Sequence, residues 1–173
     1  MTQDIPHDTP RVALVTGAGR RIGRAIALGL AQAGWDVAVH YRHSEREAEE
    51  TAQAIRALGR RAALLACDLA DEAAVRALPG RAAEALGRVT CIVNNASLFE
   101  YDNATTFSPA LLSAHMSANL AAPLLLAQAL HAATPENSQA VVINLLDQKL
   151  YNLNPDFLSY TPVSYTHLTL PTI

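Results

Sequence analysis

Thr16-Gly17-Ala18-Gly19-Arg20-Arg21-Ile22-Gly23 follows the apolar run Val12-Ala13-Leu14-Val15. It opens a helical pattern in which Ile22, Ala25, Ile26 and Gly29-Leu30 fall on one face. A strand, a glycine turn and a helix N-terminus in that order make a phosphate-binding device. Glycine lets the backbone come close to a ligand. The first helical turn offers free N–H groups and the positive end of its dipole to an anion. Arg20 and Arg21 add charge where a pyrophosphate or 2'-phosphate would lie. Alone, such a turn is equally an ordinary strand-to-helix connection, so its meaning rests on what surrounds it.

The 173 residues are enough for one domain with a sizeable core. Half are hydrophobic and the net charge is −3, which gives no pull towards nucleic acid or an anionic membrane. No apolar run is expected to reach membrane-spanning length. Residues 1–10 are polar with two prolines and an acidic bias, without the basic-then-apolar layout of a signal peptide. They read as a disordered lead-in, and the chain as cytoplasmic. Cys67 and Cys91 each sit in an apolar, strand-like run and read as buried free thiols of a reducing compartment. The six histidines show no metal-ligand spacing, so no metal is expected.

From residue 11 strand and helix signals alternate, predicting right-handed βαβ units and a parallel sheet. Strands are predicted at Val12–Thr16, Asp36–Tyr41, Arg61–Cys67, Val89–Asn94 and Ala140–Leu146. Helices are predicted at Arg21–Ala33 and Ser44–Leu58, the second opened by a Ser44/Glu47 capping box. Asp71 should cap a helix to about Leu78. Pro79-Gly80 should break it before a further piece ending near Gly87. Two helical stretches cover roughly Ser108–His131.

The end of the second strand bears on the cofactor. An acidic residue there would hold the adenosine ribose and repel a 2'-phosphate. Here Arg42 and Ser44 stand instead, both suited to a phosphate monoester, which favours NADPH. A merely solvated Arg42 is the alternative.

The glycine turn resembles the T-G-x-x-x-G-x-G turn of the short-chain dehydrogenase/reductase family, with Arg21 where that family usually has its middle glycine. The form T-G-x-x-x-R-I-G is similar to the pteridine reductase branch. The resemblance implies a doubly wound, Rossmann-like parallel sheet. It implies cofactor contacts from Gly17, Arg20, Arg21, Ile22 and Gly23, and a 2'-phosphate held by the stretch His40-Tyr41-Arg42-His43-Ser44, which resembles the His-Tyr-x-x-Ser of pteridine reductases. Asp68-Leu69 would meet the adenine, although Asp68 serves equally as a helix cap. Asn94-Asn95-Ala96-Ser97-Leu98-Phe99 resembles the family's N-N-A-G turn. Asn95, Ala96 and Ser97 would line the cofactor, and Phe99 would stack on a pterin ring or merely anchor the loop. Asn119-Leu120-Ala121-Ala122-Pro123 resembles N-x-x-A-P, whose Asn bends the helix and holds a water for proton relay.

Tyr160 lies 13 positions after Asp147, the family's spacing from catalytic Ser to catalytic Tyr; pteridine reductases carry Asp at the first position. Tyr160 would be the proton donor. Asp147 would hydrogen-bond a pterin edge, or cap the strand end. A phenol with a pKa near 10 needs a nearby cation to act at neutral pH. The family supplies a Lys four residues on, where this chain has Ser164. From Val163 the residues match ten consecutive codons of a sequencing adaptor (GTC-TCT-TAT-ACA-CAT-CTG-ACG-CTG-CCG-ACG, Val163 to Thr172). The expectation is therefore an artefactual tail at 162–173 on an incomplete Rossmann-like domain at 11–161, with about five of seven strands. The chain as written would be inactive. Its full-length parent would be a homotetrameric, NADPH-dependent reductase of a small pterin or dihydrofolate-type substrate. Two alternatives stand beside it: a general carbonyl or 3-oxoacyl-carrier-protein reductase, and a non-catalytic NADP-binding fragment.

Overall fold

Strand β1 (Arg11–Val15) is the centre of the molecule, because every other strand is ordered about it. The computed structural model describes residues 11–151 and 156–162. The expected lead-in and the adaptor-like residues from Val163, Ser164 included, lie outside them. Five parallel strands stand in the order β3-β2-β1-β4-β5. The others are β2 (Trp35–Tyr41), β3 (Ala62–Ala66), β4 (Val89–Asn94) and β5 (Val141–Asn144). The chain leaves β1 for β2 on one side, then returns past β1 to β4 on the other. This reversal opens a crevice at the carboxyl ends of β1 and β4, where ligands bind in such sheets.

Both faces of the sheet are covered, as a parallel sheet requires. Ala13 and Val15 of β1 face helices α1 (Arg21–Gln32) and α2 (Glu45–Ala57), in a core with Val37, Val39, Ala27, Ala52 and Ile55. Val12 and Leu14 point the other way, into a core with Leu78, Ile92, Leu126 and Leu130. That core is closed by α3 (Glu72–Leu86) and α5 (Ala122–Ala133). At the β5 edge, Val141 and Ile143 are each 46% exposed. Cys67 and Cys91 are buried and free, and burial raises both thiol pKa values, Cys91 to about 11.

Several local expectations are corrected. The buried face of α1 is Gly23, Ala27 and Ala31, whereas Ile22 is 63% exposed. Small residues at spacing four let this helix approach the sheet closely. Helix α3 runs unbroken through Pro79-Gly80. Pro79 is itself buried beside Val75, Leu78 and Ala82, so packing offsets the ~3 kcal/mol that an internal proline costs. The Ser44 hydroxyl makes no cap bond, and Glu47 turns to Arg20 at 3.8 Å. Asp71 caps α3 as expected, accepting from the Ala74 amide at 3.0 Å, so the alternative reading of Asp68 as a helix cap is the one corrected. The stretch Pro109–Ala133 is one helical run of 25 residues, comprising α4 (Pro109–Met116), a π-helical turn (Ser117–Ala121) and α5. It has a mean hydropathy of 1.4 and is long and apolar enough to cross a membrane by length and composition. The expectation of no such run is corrected: residues 109–133 carry no Asp, Glu, Lys or Arg, and the polar residues among them do not end the helix.

At the amino end of β2, Asp36 is buried between two arginines. Its carboxylate meets Arg60 and Arg61 at 2.9 Å each and accepts from the Arg61 amide at 2.9 Å. Burial opposes its ionisation, but the bonds from Arg61 and the charge of Arg60 prevail and lower its pKa. A lowered carboxyl pKa contributes stability above the ordinary aspartate range, lost as pH falls through the folded value. Asp36→Asn should lower stability at pH 7 by roughly 1–3 kcal/mol. It should also flatten the acid-side loss, as measured by urea unfolding at stepped pH.

Candidate active site

The turn after β1 is held by a short network of polar bonds. Thr16 Oγ1 donates to the Val93 carbonyl at 3.3 Å and accepts from the amides of Asn95 and Ala96 at 3.0 Å each. Asn95 Nδ2 donates back to the carbonyls of Thr16 at 2.9 Å and Gly17 at 3.3 Å. The loops after β1 and β4 are thereby one unit. Gly17 has φ +64°, and a Cβ on Gly23 would overlap the Gly17 carbonyl oxygen. Only glycine at both places lets α1 start this close to the sheet. Arg21 also takes a positive φ, +50°, a conformation that costs a non-glycine residue on the order of 1 kcal/mol. That is the physical sense of the middle glycine this chain replaces.

His40, expected within the phosphate-holding stretch, joins this unit instead. His40, 2% exposed, accepts from the Gly17 amide through Nδ1 at 3.1 Å. Its Nε2 lies 3.1 Å from the Cys67 carbonyl, so the neutral Nε2–H tautomer satisfies both bonds. Burial pushes its pKa down to about 4, partly opposed by the Cys67 carbonyl. The signal was present in the sequence: a histidine inside the buried strand Val37-Ala38-Val39 must find partners for both nitrogens.

A groove of about 700 Å³ runs across the carboxyl ends of the strands. Gly17, Arg20, Arg21, Ile22, Gly23, Tyr41, Arg42, His43, Ser44, Asp68 and Leu69 line one part of it. Asn95, Ala96, Ser97, Phe99, Asp147 and Tyr160 line the rest. Arg42 meets Asp68 at 3.2 Å, which steadies both at the ends of β2 and β3. Burial and the neighbouring Glu45 carboxylate raise the Tyr41 phenol pKa. Gly17 and Gly23 backbone, the N-terminus of α1 and three arginines (Arg20, Arg21, Arg42) line the first part, which is the chemistry that the phosphates of a dinucleotide require.

The other end narrows to a cavity of about 40 Å³ lined by Asn94, Asn119, Asp147 and Tyr160. Asn119 lies in the π-helical turn, and its amide pins the loop after β4. Oδ1 accepts from the Leu98 amide at 2.7 Å and Nδ2 donates to the Leu98 carbonyl at 2.8 Å. Asp147 lines the cavity and accepts from the Lys149 amide at 2.8 Å, so it caps the turn Gln148–Leu150 rather than the end of β5. The Tyr160 ring, 8% exposed, meets Phe99 edge-on at 4.9 Å between centroids. One face of Phe99 is stacked on Phe157 at 4.1 Å.

Residues 11–161 match the family model of the short chain dehydrogenases. The chain belongs to the short chain dehydrogenase family. Its fold is similar to that of FolM alternative dihydrofolate reductase 1 from Brucella suis in complex with NADP. That likeness has a TM-score of 0.85 and 38% identity, over 90% of this chain and 65% of that one. It is also similar to a short chain dehydrogenase from Burkholderia cenocepacia in complex with NADP, with a TM-score of 0.84 and 31% identity, over 91% of this chain and 64% of that one. Over 91 residues, 53% of this chain, it is 45% identical to the 3-oxoacyl-[acyl-carrier-protein] reductase FabG of Aggregatibacter actinomycetemcomitans; the match spans 37% of that protein. The chain thus spans about two thirds of its structural relatives, and its matches span about a third of its curated ones.

Within this short chain dehydrogenase, His40 predicts a pH dependence. Its folded pKa of about 4 lies below the ordinary 6.5. The unfolded chain therefore binds the proton first as pH falls, and stability declines between those values. The loss should be on the order of 3 kcal/mol, seen as a falling unfolding midpoint. His40→Gln should be less stable at pH 7 and should lack that slope.

Proposed function

We propose that this chain is the cofactor-binding and proton-donating part of an NADPH-dependent reductase acting on a pterin or dihydrofolate-type substrate. One observation carries the reading: Asp147 and Tyr160 line the same narrow cavity as Asn119, with the Phe99 ring set against Tyr160. Bound NADPH would supply the hydride. Gly17, Ile22 and Gly23 bind its pyrophosphate through backbone at the α1 N-terminus. Arg21, Arg42, His43 and Ser44 hold the 2'-phosphate, with Arg20 nearby and Tyr41 beside them. Asp68 and Leu69 receive the adenine, and Asn95, Ala96 and Ser97 line the nicotinamide end. Tyr160 gives a proton to the reduced atom. Asp147 orients the substrate by accepting from its amino and ring N–H groups. Asn119 fixes the loop that carries Phe99 and borders a cavity of the size of a relay water. Phe99 offers its ring to a flat heterocycle. The whole protein would be a homotetramer using the helices at 111–133.

The second reading, a carbonyl or 3-oxoacyl-carrier-protein reductase, is supported by the likeness to the FabG protein. A non-catalytic NADP-binding fragment is the third. Loss of NADPH absorbance separates them, with dihydrobiopterin, dihydrofolate and simple ketones as substrates. It should be followed for the chain as written and for a form carrying Ser164→Lys and a family-type continuation. Turnover of ketones but of no pterin favours the second reading; NADPH binding with no turnover in either form favours the third.

Two outcomes are expected of the active form. NADPH should be preferred to NADH by at least about tenfold, about 1.4 kcal/mol, and Arg42→Asp should erase the preference. Asp147→Ala should cut turnover of the dihydro substrate by at least about tenfold with NADPH affinity unchanged, because that carboxylate meets substrate and not cofactor.

A further inference from the structure

Asp102 is a carboxylate without a cation. It is 1% exposed, and among the described residues no arginine or lysine pairs with it. Among the described residues its hydrogen bonds come from one short segment 55 to 57 positions away in sequence. Oδ1 and Oδ2 accept from the Ser159 amide at 3.0 and 3.2 Å, and Oδ2 also accepts from the Ser159 hydroxyl. The Asp102 carbonyl accepts from the amides of Phe157 at 2.7 Å and Leu158 at 3.4 Å. One residue of the loop after β4 thus grips three consecutive residues immediately before Tyr160. Burial opposes ionisation of Asp102, but the Ser159 bonds, the neighbouring His115 and the Leu158 amide together prevail and lower its pKa, so the carboxylate is charged at neutral pH.

The gripped segment is not shaped by a regular element. Phe157 has φ +58°, which only a tightly held chain maintains. Its ring stacks on Phe99, and Tyr160 then lies between Phe99 at 4.9 Å and His115 at 5.9 Å. His115 is fully buried and comes from α4. We propose that Asp102 is a positioning residue for Tyr160. Its buried carboxylate fixes Ser159, and through it the direction in which the Tyr160 phenol enters the cavity shared with Asp147. This inference rests on the reading of Tyr160 as proton donor, but it concerns a geometry that can be measured without turnover. The reason for a charge here is rigidity. A misplacement of about 1 Å can cost a reaction on the order of 100-fold, and an ionised acceptor holds its donors more tightly than a neutral one.

The test uses the full chain labelled with [13Cζ]tyrosine, the Tyr160 signal being identified by its loss in Tyr160→Phe. Asp102→Asn keeps a side-chain acceptor, Asp102→Ala removes it, and Ser159→Ala removes the hydroxyl bond alone. In folded protein, Asp102→Ala should move the Tyr160 resonance towards that of an exposed tyrosine. Asp102→Asn and Ser159→Ala should move it part of the way, with the NADPH dissociation constant by fluorescence unchanged within about twofold in each. If Asp102→Ala does not fold, the other two decide. In the form carrying Ser164→Lys, kcat should fall at least tenfold in Asp102→Ala with little change in the KM for NADPH. Asp102→Ala/Tyr160→Phe should be no slower than Tyr160→Phe alone. An unmoved Tyr160 resonance in folded Asp102→Asn and Ser159→Ala overturns the proposal, as does an additive double variant. A moved resonance with no reductase activity in any form would instead remove the reductase reading and leave the positioning role standing.

Discussion

The approach of α1 to the end of β1 is the constraint on which the rest of the structure depends. Gly23 sits against the Gly17 carbonyl, where no side chain fits, and Asn95 reaches across to the same carbonyl. Thr16 and His40 complete the arrangement by binding backbone of β4, of the loop after it, and of the glycine turn itself. The result is a helix N-terminus held at the point where the strand order reverses. Thr16 and His40 are buried and Asn95 half-buried, so their polar groups must be paired, and the pairing leaves little freedom. The groove is the consequence: its floor is a backbone surface that these contacts fix before any ligand arrives.

The two ends of the groove are built differently. The arginine end is made from adjacent strand ends and exposed charges. Its contacts, Arg42 with Asp68 and Arg20 with Glu47, lie at the surface, where single ion pairs contribute little to stability. The narrow end is made from loops, and its order comes from side chains that bind backbone. Asn119 holds Leu98, Asp147 holds Lys149, and Asp102 holds Ser159. A π-helical turn at Asn119 turns an amide out of an otherwise apolar helix, a use such turns often have at functional sites. The two ends thus draw on separate kinds of support: surface charge at one, side chains that clamp backbone at the other.

Much of this was legible in the sequence. The β4 limits Val89–Asn94 coincide with those predicted, and the five strands stand where alternation of apolar runs and glycine stops put them. The misjudged details share a cause. Pro79 reads as a break because a proline weakens an isolated helix, yet α3 is held by its buried face. Ser44 reads as half of a capping box because local spacing allows it, yet Glu47 finds Arg20 on another element. The clamping roles of His40 and Asp102 are not visible in local spacing, because their partners, Cys67, Gly17 and Ser159, lie 23 to 57 positions away.

The sequence by itself determined the layered α/β architecture, the glycine turn and the charge at the end of β2. Each of these is a property of neighbours along the chain: periodicity, a positive φ, a helix start. The tertiary structure decided which face of α1 is buried, that Pro79 is tolerated, and that Phe99, Asp147, Asn119 and Tyr160 meet around one site. It also placed a buried carboxylate behind that site. Those outcomes depend on contacts between segments that the strand order brings together, and on burial, which makes an unpaired polar group costly enough to select its partner.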